Sequence, residues 1–216
     1  MKNHIERVVA RARREGLHAP DGAPERLASY VSLVLKFGEK FSLLSRADLT
    51  APRIAKRHIA DSLGGLQVAA PSPGARVLDY GAGAGLVGIV WAIVRPDLAI
   101  TLLESRRKKC AFLSRAVADL GLAGTDVWEG RGEDAGPRAG SFDIVASRGV
   151  ATDEETIEAF AILLRPEGAA LFFKGPESAR AARERIQRST RFLPPVESIR
   201  LLGEGKKRIY LLARRV

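Results

Sequence analysis

Ten residues constrain the fold more than any others: Val77-Leu78-Asp79-Tyr80-Gly81-Ala82-Gly83-Ala84-Gly85-Leu86. A strand-like apolar run turns through glycines at 81, 83 and 85 into an apolar stretch that continues to Val94. Glycine permits sharp turns and close ligand approach, and a helix opening there presents unpaired N–H groups. The chain beyond keeps the same rhythm. Apolar runs at 77–80, 99–103, 125–128, 142–146 and 169–173 predict strands, and stretches near 85–94, 106–120, 152–164 and 176–188 predict helices. Strand–helix alternation implies a parallel sheet with helices on both faces. The end departs from it: strand-like runs at 199–202 and 208–212, joined by Gly203-Glu204-Gly205-Lys206-Lys207, predict an antiparallel hairpin. The expected fold is α/β, a doubly wound (Rossmann-like) sheet of seven mostly parallel strands finished by that hairpin.

The first 70 residues read differently. Ile5, Val8, Val9 and Ala12 recur at helical spacing up to Gly16, and Pro24 opens a second helix carrying Leu27, Tyr30, Val31 and Val34. A third helical segment runs from about 52 to 66, and Ala70-Pro71-Ser72-Pro73-Gly74 breaks the pattern. The boundary is placed there: a helical N-terminal extension over 1–70 and the main domain over 71–216. Residues 1–16 lack the apolar core of a secretory signal, and Glu6 and Glu15 argue against a transit peptide. No apolar run approaches the roughly 20 residues of a membrane span. The single cysteine, Cys110, suits a reducing compartment. A cytoplasmic monomer is expected.

The net charge of +10 is unevenly distributed. Residues 1–70 hold 12 basic and 7 acidic side chains, residues 71–179 hold 12 and 15, and residues 180–216 hold 11 and 3. Two basic flanks enclose a slightly acidic centre, and basic excess favours a polyanionic partner through counterion release.

The glycine loop narrows the ligand. The dinucleotide fingerprint wants glycine at its sixth position, where this chain has Leu86, and no Gly-Lys-Ser/Thr follows to make a phosphate loop of the Walker type. Asp79 would oppose a pyrophosphate but would attract the amino group of a methionine moiety. Glu104, at the end of the second predicted strand, can accept hydrogen bonds from both hydroxyls of a ribose. Gly132 and Glu133, after the third, lie where an adenine would sit. S-adenosyl-L-methionine satisfies all of these, and a class I methyltransferase is expected, with Asp79, the loop glycines Gly81 and Gly83, Glu104, Gly132 and Glu133 as cofactor residues.

The acceptor is approached by exclusion. The fourth predicted strand leads into Ser147-Arg148-Gly149, with no Asn/Asp-Pro-Pro-aromatic motif for exocyclic amines. Cys110 lies within a predicted helix and reads as a small buried residue rather than a nucleophile for carbon methylation. An acceptor with its own lone pair fits best, such as nitrogen-7 of guanine, where alignment matters more than proton removal. Three histidines (His4, His18, His58) without a ligand cluster predict no metal.

Several segments also carry a resemblance: Arg57-His58-Ile59-Ala60-Asp61-Ser62-Leu63, the glycine loop through Gly88, Leu103-Glu104-Ser105-Arg106-Arg107-Lys108-Lys109-Cys110-Ala111-Phe112-Leu113, Arg131-Gly132-Glu133, Ser147-Arg148 and Lys174-Gly175. From about Phe41 onward the chain resembles the bacterial glucose-inhibited-division B family, methyltransferases acting on nitrogen-7 of a guanine in 16S ribosomal RNA. The resemblance implies that Gly81 and Leu86 line the methionine and adenosine path and that Gly132 and Glu133 meet the adenine. Arg148 would stand beside the cofactor at the reaction mouth, with Ser147 and Arg148 as catalytic candidates. His58, Lys174 and Arg208 are the candidate RNA contacts, and the partner is 16S rRNA or the small ribosomal subunit. Three positions depart from the family pattern: Ser42-Leu43-Leu44 replaces Asn-Leu-Thr, Val87 replaces proline and Gly149 replaces alanine. His58 and Asp61, three apart, share a face if their segment is helical. They would serve the target base or tie the extension to the sheet. Arg180, Arg183, Arg185, Arg188 and Arg191 offer a further phosphate-tracking surface. A methyltransferase with another RNA, protein or small-molecule acceptor, and a non-catalytic RNA-binding assembly factor, remain the alternatives.

Overall fold

The computed structural model describes residues 2–201 and 207–216. Seven strands form one sheet in the order β3-β2-β1-β4-β5-β7-β6: β1 (Arg76–Tyr80), β2 (Ala99–Glu104), β3 (Thr125–Glu129), β4 (Phe142–Arg148), β5 (Leu164–Lys174), β6 (Val196–Leu201) and β7 (Lys207–Arg214). β1 to β5 pair in parallel, while β7 pairs antiparallel with both β5 and β6. The expected doubly wound sheet with its terminal hairpin is therefore the observed one. The residues joining β6 to β7 lie outside the described residues, apart from Lys207.

The chain order reverses between β1 and β4, which splays the connections after those strands apart and opens a crevice at their carboxyl ends. α5 (Gly88–Val94) is buried on every side, as its unbroken apolar run requires. With α6 (Arg107–Asp119) it covers one face of the sheet. α1 (Lys2–Arg14), α2 (Ala23–Phe37), α3 (Ala51–Arg53) and α4 (Ala60–Ala69) pack on that same face, so Ile5, Leu27, Tyr30, Ile59 and Leu66 share one apolar cluster with Val77, Trp91 and Ile100. α7 (Glu154–Leu163) and α8 (Pro176–Arg188) cover the other face around Phe142, Phe160 and Phe172. No helix among the described residues is long and apolar enough to cross a membrane.

Two elements differ from expectation. β5 begins at Leu164, because Phe142 pairs with Leu164 and Ile144 with Ala169. The turn-like Arg165-Pro166-Glu167-Gly168 is accommodated as a ladder irregularity, with Glu167 at a φ of 64°. The third helical segment is also not uniform: α3 passes into a π-helical stretch, Ile54–Ile59, before α4. Such widened turns cluster at functional sites. This one carries His58 and delivers Asp61 to the first turn of α4.

Candidate active site

Two cavities meet at the carboxyl edge of the sheet. The first, about 390 Å³, is lined by Gly81, Glu104, Gly132 and Glu133 among others. Gly81, Gly83 and Gly85 all hold positive φ (71°, 59° and 77°), which is why the loop alternates glycine. The loop is pinned from three sides. Ala82 N–H donates to the Leu103 carbonyl at 2.8 Å, the Tyr30 hydroxyl donates to the Ala84 carbonyl at 2.7 Å, and Gly83 N–H donates to Glu104 Oε2 at 3.0 Å. Glu104 Oε1 accepts from Arg106 N–H at 2.9 Å, so this carboxylate links the loop to the start of α6. A side chain at Gly83 would meet no atom closer than 3.8 Å, leaving the main chain open to a ligand.

Asp79 is fully desolvated behind the loop, where Oδ2 accepts from Gly88 N–H at 2.8 Å. Burial outweighs that hydrogen bond and raises its pKa to about 6. Glu133 accepts from the Tyr80 hydroxyl at 3.2 Å, and a side chain at Gly132 would strike the Tyr80 ring. Leu86 departs from the role expected of it: its side chain is 6% exposed, packs in the core and does not line the cavity.

The second cavity, about 590 Å³, is strongly basic, with Arg57, His58, Arg148, Lys174, Arg185 and Arg208 in its wall. Gly149 and Val150 line both cavities and form the partition between them. Gly149 has a φ of 86°, a conformation that glycine takes freely and alanine does not. Lys174, 8% exposed, donates to the Val150 carbonyl at 3.1 Å, and burial lowers its pKa. Ser147, expected at the reaction mouth, is buried and lines neither cavity. Successive side chains of a strand point to opposite faces, and Arg148 takes the cavity side.

The cations are held from beneath. Asp61, wholly buried, receives Arg208 Nη2 at 2.9 Å and Arg148 Nη1 at 3.4 Å on Oδ2, and the Tyr210 hydroxyl at 2.9 Å on Oδ1. Arg148 Nη2 lies 3.0 Å from His58 Nδ1. A guanidinium only donates, so Nδ1 carries the lone pair and the ring proton sits on Nε2. Burial, then the neighbouring Arg148 charge, lowers the His58 pKa to about 3. His58 and Asp61 thus share a face as their spacing predicts, and they tie the N-terminal helices to β4 and β7. Tyr30 and Tyr210 were absent from the expected site residues, and Asp61 was expected only as the partner of His58. For Asp61 the signal was the Arg-His-x-x-Asp-Ser-Leu run itself.

Other expectations resolve simply. Cys110 Sγ donates to the Glu104 carbonyl at 3.1 Å from a buried position that raises its pKa, so it is structural. On α8 and just beyond it, Arg180, Arg183 and Arg191 pair with Glu184, Glu197 and Glu158, and Arg185 turns to the basic cavity. The anticipated five-arginine phosphate surface is therefore largely neutralised.

The family model described as GidB, rRNA small subunit methyltransferase G, matches residues 23–209. The chain belongs to the GidB family. A ribosomal RNA small subunit methyltransferase G of Moorella thermoacetica is 36% identical over 87% of this chain and 75% of its own length. Its namesake in Symbiobacterium thermophilum is 34% identical over 93% and 85%. Among solved structures, a precorrin-6Y C5,15-methyltransferase from Geobacter metallireducens superposes with a TM-score of 0.55 at 17% identity, covering 71% of this chain and 86% of that one, a likeness of fold. The GidB match takes in both cavities and Asp61 with His58, Arg148 and Arg208, while α1 and Tyr210 lie outside it.

Proposed function

We propose that this GidB-family chain transfers a methyl group from S-adenosyl-L-methionine to nitrogen-7 of a guanine in 16S ribosomal RNA. One observation carries the reading: a cavity of mixed charge, which holds Glu104 and Glu133 beside Arg106, Lys109 and Arg131, and a basic cavity whose wall has no carboxylate among the described residues share Gly149 and Val150 as their partition. The side that holds the carboxylates fits the cofactor. Gly83 leaves open main chain that a side chain would fill, and Glu104 keeps lone pairs for ribose hydroxyls after accepting from Gly83 and Arg106. Asp79 stands behind the loop on the side of a methionine ammonium. Bound there, S-adenosyl-L-methionine supplies an electrophilic methyl group.

The chain's own residues do the rest. Guanine nitrogen-7 brings its own lone pair, so no general base is required. Arg148 is balanced by Asp61 and held by His58, which leaves N–H groups free to orient a base edge bearing oxygen or nitrogen acceptors. Lys174, Arg185 and Arg57 hold phosphate. The work is alignment and electrostatic support.

The test is transfer of labelled methyl to small ribosomal subunits, naked 16S RNA and a small-molecule extract, followed by mapping of the modified atom. Label on nitrogen-7 of a 16S guanine is expected. Label confined to the extract would overturn the RNA reading, and no calorimetric binding of S-adenosyl-L-methionine at millimolar concentration would overturn the enzyme reading.

A further inference from the structure

A third cavity, about 470 Å³, lies behind the basic one, between α1, α4 and β6. Its floor is apolar, with Val8, Ala12, Leu63 and Gly64, and its walls carry Arg7, Arg11, Lys56 and Arg200. The one carboxylate there, Glu15, is engaged by Arg11 at 2.8 Å and Arg200 at 3.2 Å. Neither Arg7 nor Lys56 has an ion-pair partner among the described residues.

This cavity neighbours the basic cavity at two points. Lys56 faces one and its chain neighbour Arg57 faces the other, across the π-helical turn. Arg200 and Arg208 stand directly opposite in the β6–β7 ladder, one in each cavity. Like charges placed so are mutually unfavourable, and an anion running past both would relieve them. Cations therefore run from Lys174 past Arg208 and Arg57 to Lys56, Arg200 and Arg7, with Arg208, Arg57 and Arg200 each paired to a carboxylate (Asp61, Asp48 and Glu15) and Lys56 and Arg7 left to meet an anion.

We propose that the third cavity is a second RNA site, which holds the phosphate backbone of the strand flanking the target nucleotide. The inference rests on the RNA reading above and adds to it a role for α1. No aromatic ring of Phe, Tyr or Trp lines the cavity, so bases are not stacked there. The cations meet phosphates, and the apolar floor faces the sugars. Contact of this kind positions a substrate without reading its sequence.

The test uses the full chain carrying Arg7→Glu and Lys56→Glu, with a short 16S-derived RNA as probe. The variant should bind S-adenosyl-L-methionine and melt as the parent does. Its half-saturating RNA concentration should rise about tenfold or more, while turnover at saturating RNA stays within about twofold. The slope of log affinity against log salt should become shallower by about 1.4, at roughly 0.7 for each single-strand phosphate that the variant no longer neutralises. A variant with parental RNA affinity and salt slope, in a parent that methylates RNA, overturns this site and leaves the enzymatic reading intact. So does a variant that keeps RNA affinity but loses binding of an acidic peptide. A parent that binds no RNA overturns both readings.

Discussion

Asp61→Asn removes one negative charge and little else. The asparagine oxygen can still accept from the Tyr210 hydroxyl, which lies 2.9 Å from Oδ1 in the parent. What disappears is the counterion of two guanidiniums that converge on Oδ2 at 2.9 and 3.4 Å, their side chains only 20% and 14% exposed. Breaking a buried ion pair by removing one partner costs about 3–5 kcal/mol, because the surviving charge stays desolvated. For a chain of 216 residues, each kcal/mol shifts Tm by about 2–4 °C, so Asp61→Asn should melt roughly 6–20 °C below the parent. Arg148→Met in the same molecule should recover part of that loss, because it removes one of the stranded charges. A double-mutant cycle should therefore show a coupling of about 1–3 kcal/mol. The assay is calorimetric or dichroic melting at low and moderate salt, with single-turnover methyl transfer in parallel. At a temperature where Asp61→Asn is fully folded, turnover should still fall, since Arg148 is then aligned by His58 alone. A melting point within 2 °C of the parent, or strict additivity with Arg148→Met, would refute the view that Asp61 organises the basic cavity.

Two further outcomes follow from local geometry. Asp79, with its pKa raised to about 6, is largely protonated below that pH, and a methionine ammonium beside it favours the carboxylate. Cofactor affinity should therefore strengthen as pH rises from 5 to 7, with proton release visible as a buffer-dependent calorimetric enthalpy. Affinity flat across that range would count against Asp79 facing the ammonium. Ser42 sits at a φ of 50°, in the left-handed region that asparagine tolerates better than serine. Ser42→Asn, the residue that the family resemblance leads one to expect there, should raise stability by about 0.5–1 kcal/mol in urea melts, and a decrease would show that the serine side chain has a role of its own.

The sheet was legible because its signals are local. Apolar runs, glycine spacing and the turn residues of 203–207 sit within ten residues of what they specify. Glu104 was legible for the same reason: a strand tip announces itself. β5 was read too short because Pro166 and Gly168 look like a turn, and only pairing with β4 shows that the ladder resumes on either side of them. For Leu86 and Ser147 the sequence did not disclose which way the side chain points, and both are buried away from the cavities. The Asp61 network was the least legible. Its contacts span 87 residues to Arg148 and 149 to Tyr210, distances over which periodicity carries no information.

The uneven charge has a physical logic that only the fold exposes. A sulfonium cofactor and a polyanionic RNA require opposite electrostatic surroundings, yet their reacting atoms must meet. The first cavity mixes Glu104 and Glu133 with Arg106, Lys109 and Arg131, whereas the second has cations and, among the described residues, no carboxylate in its wall, with Arg148 and Lys174 from the central segment and Arg57, Arg185 and Arg208 from the basic flanks. Concentrated basic charge would disfavour a cationic ligand nearby, and Asp61 limits that by offsetting one of the two positive charges of Arg148 and Arg208. The partition is thin, Val150 and a Gly149 held in the left-handed region, so the only carboxylates of described residues in the two walls, Glu104 and Glu133, stand two residues away from the cations of the second cavity.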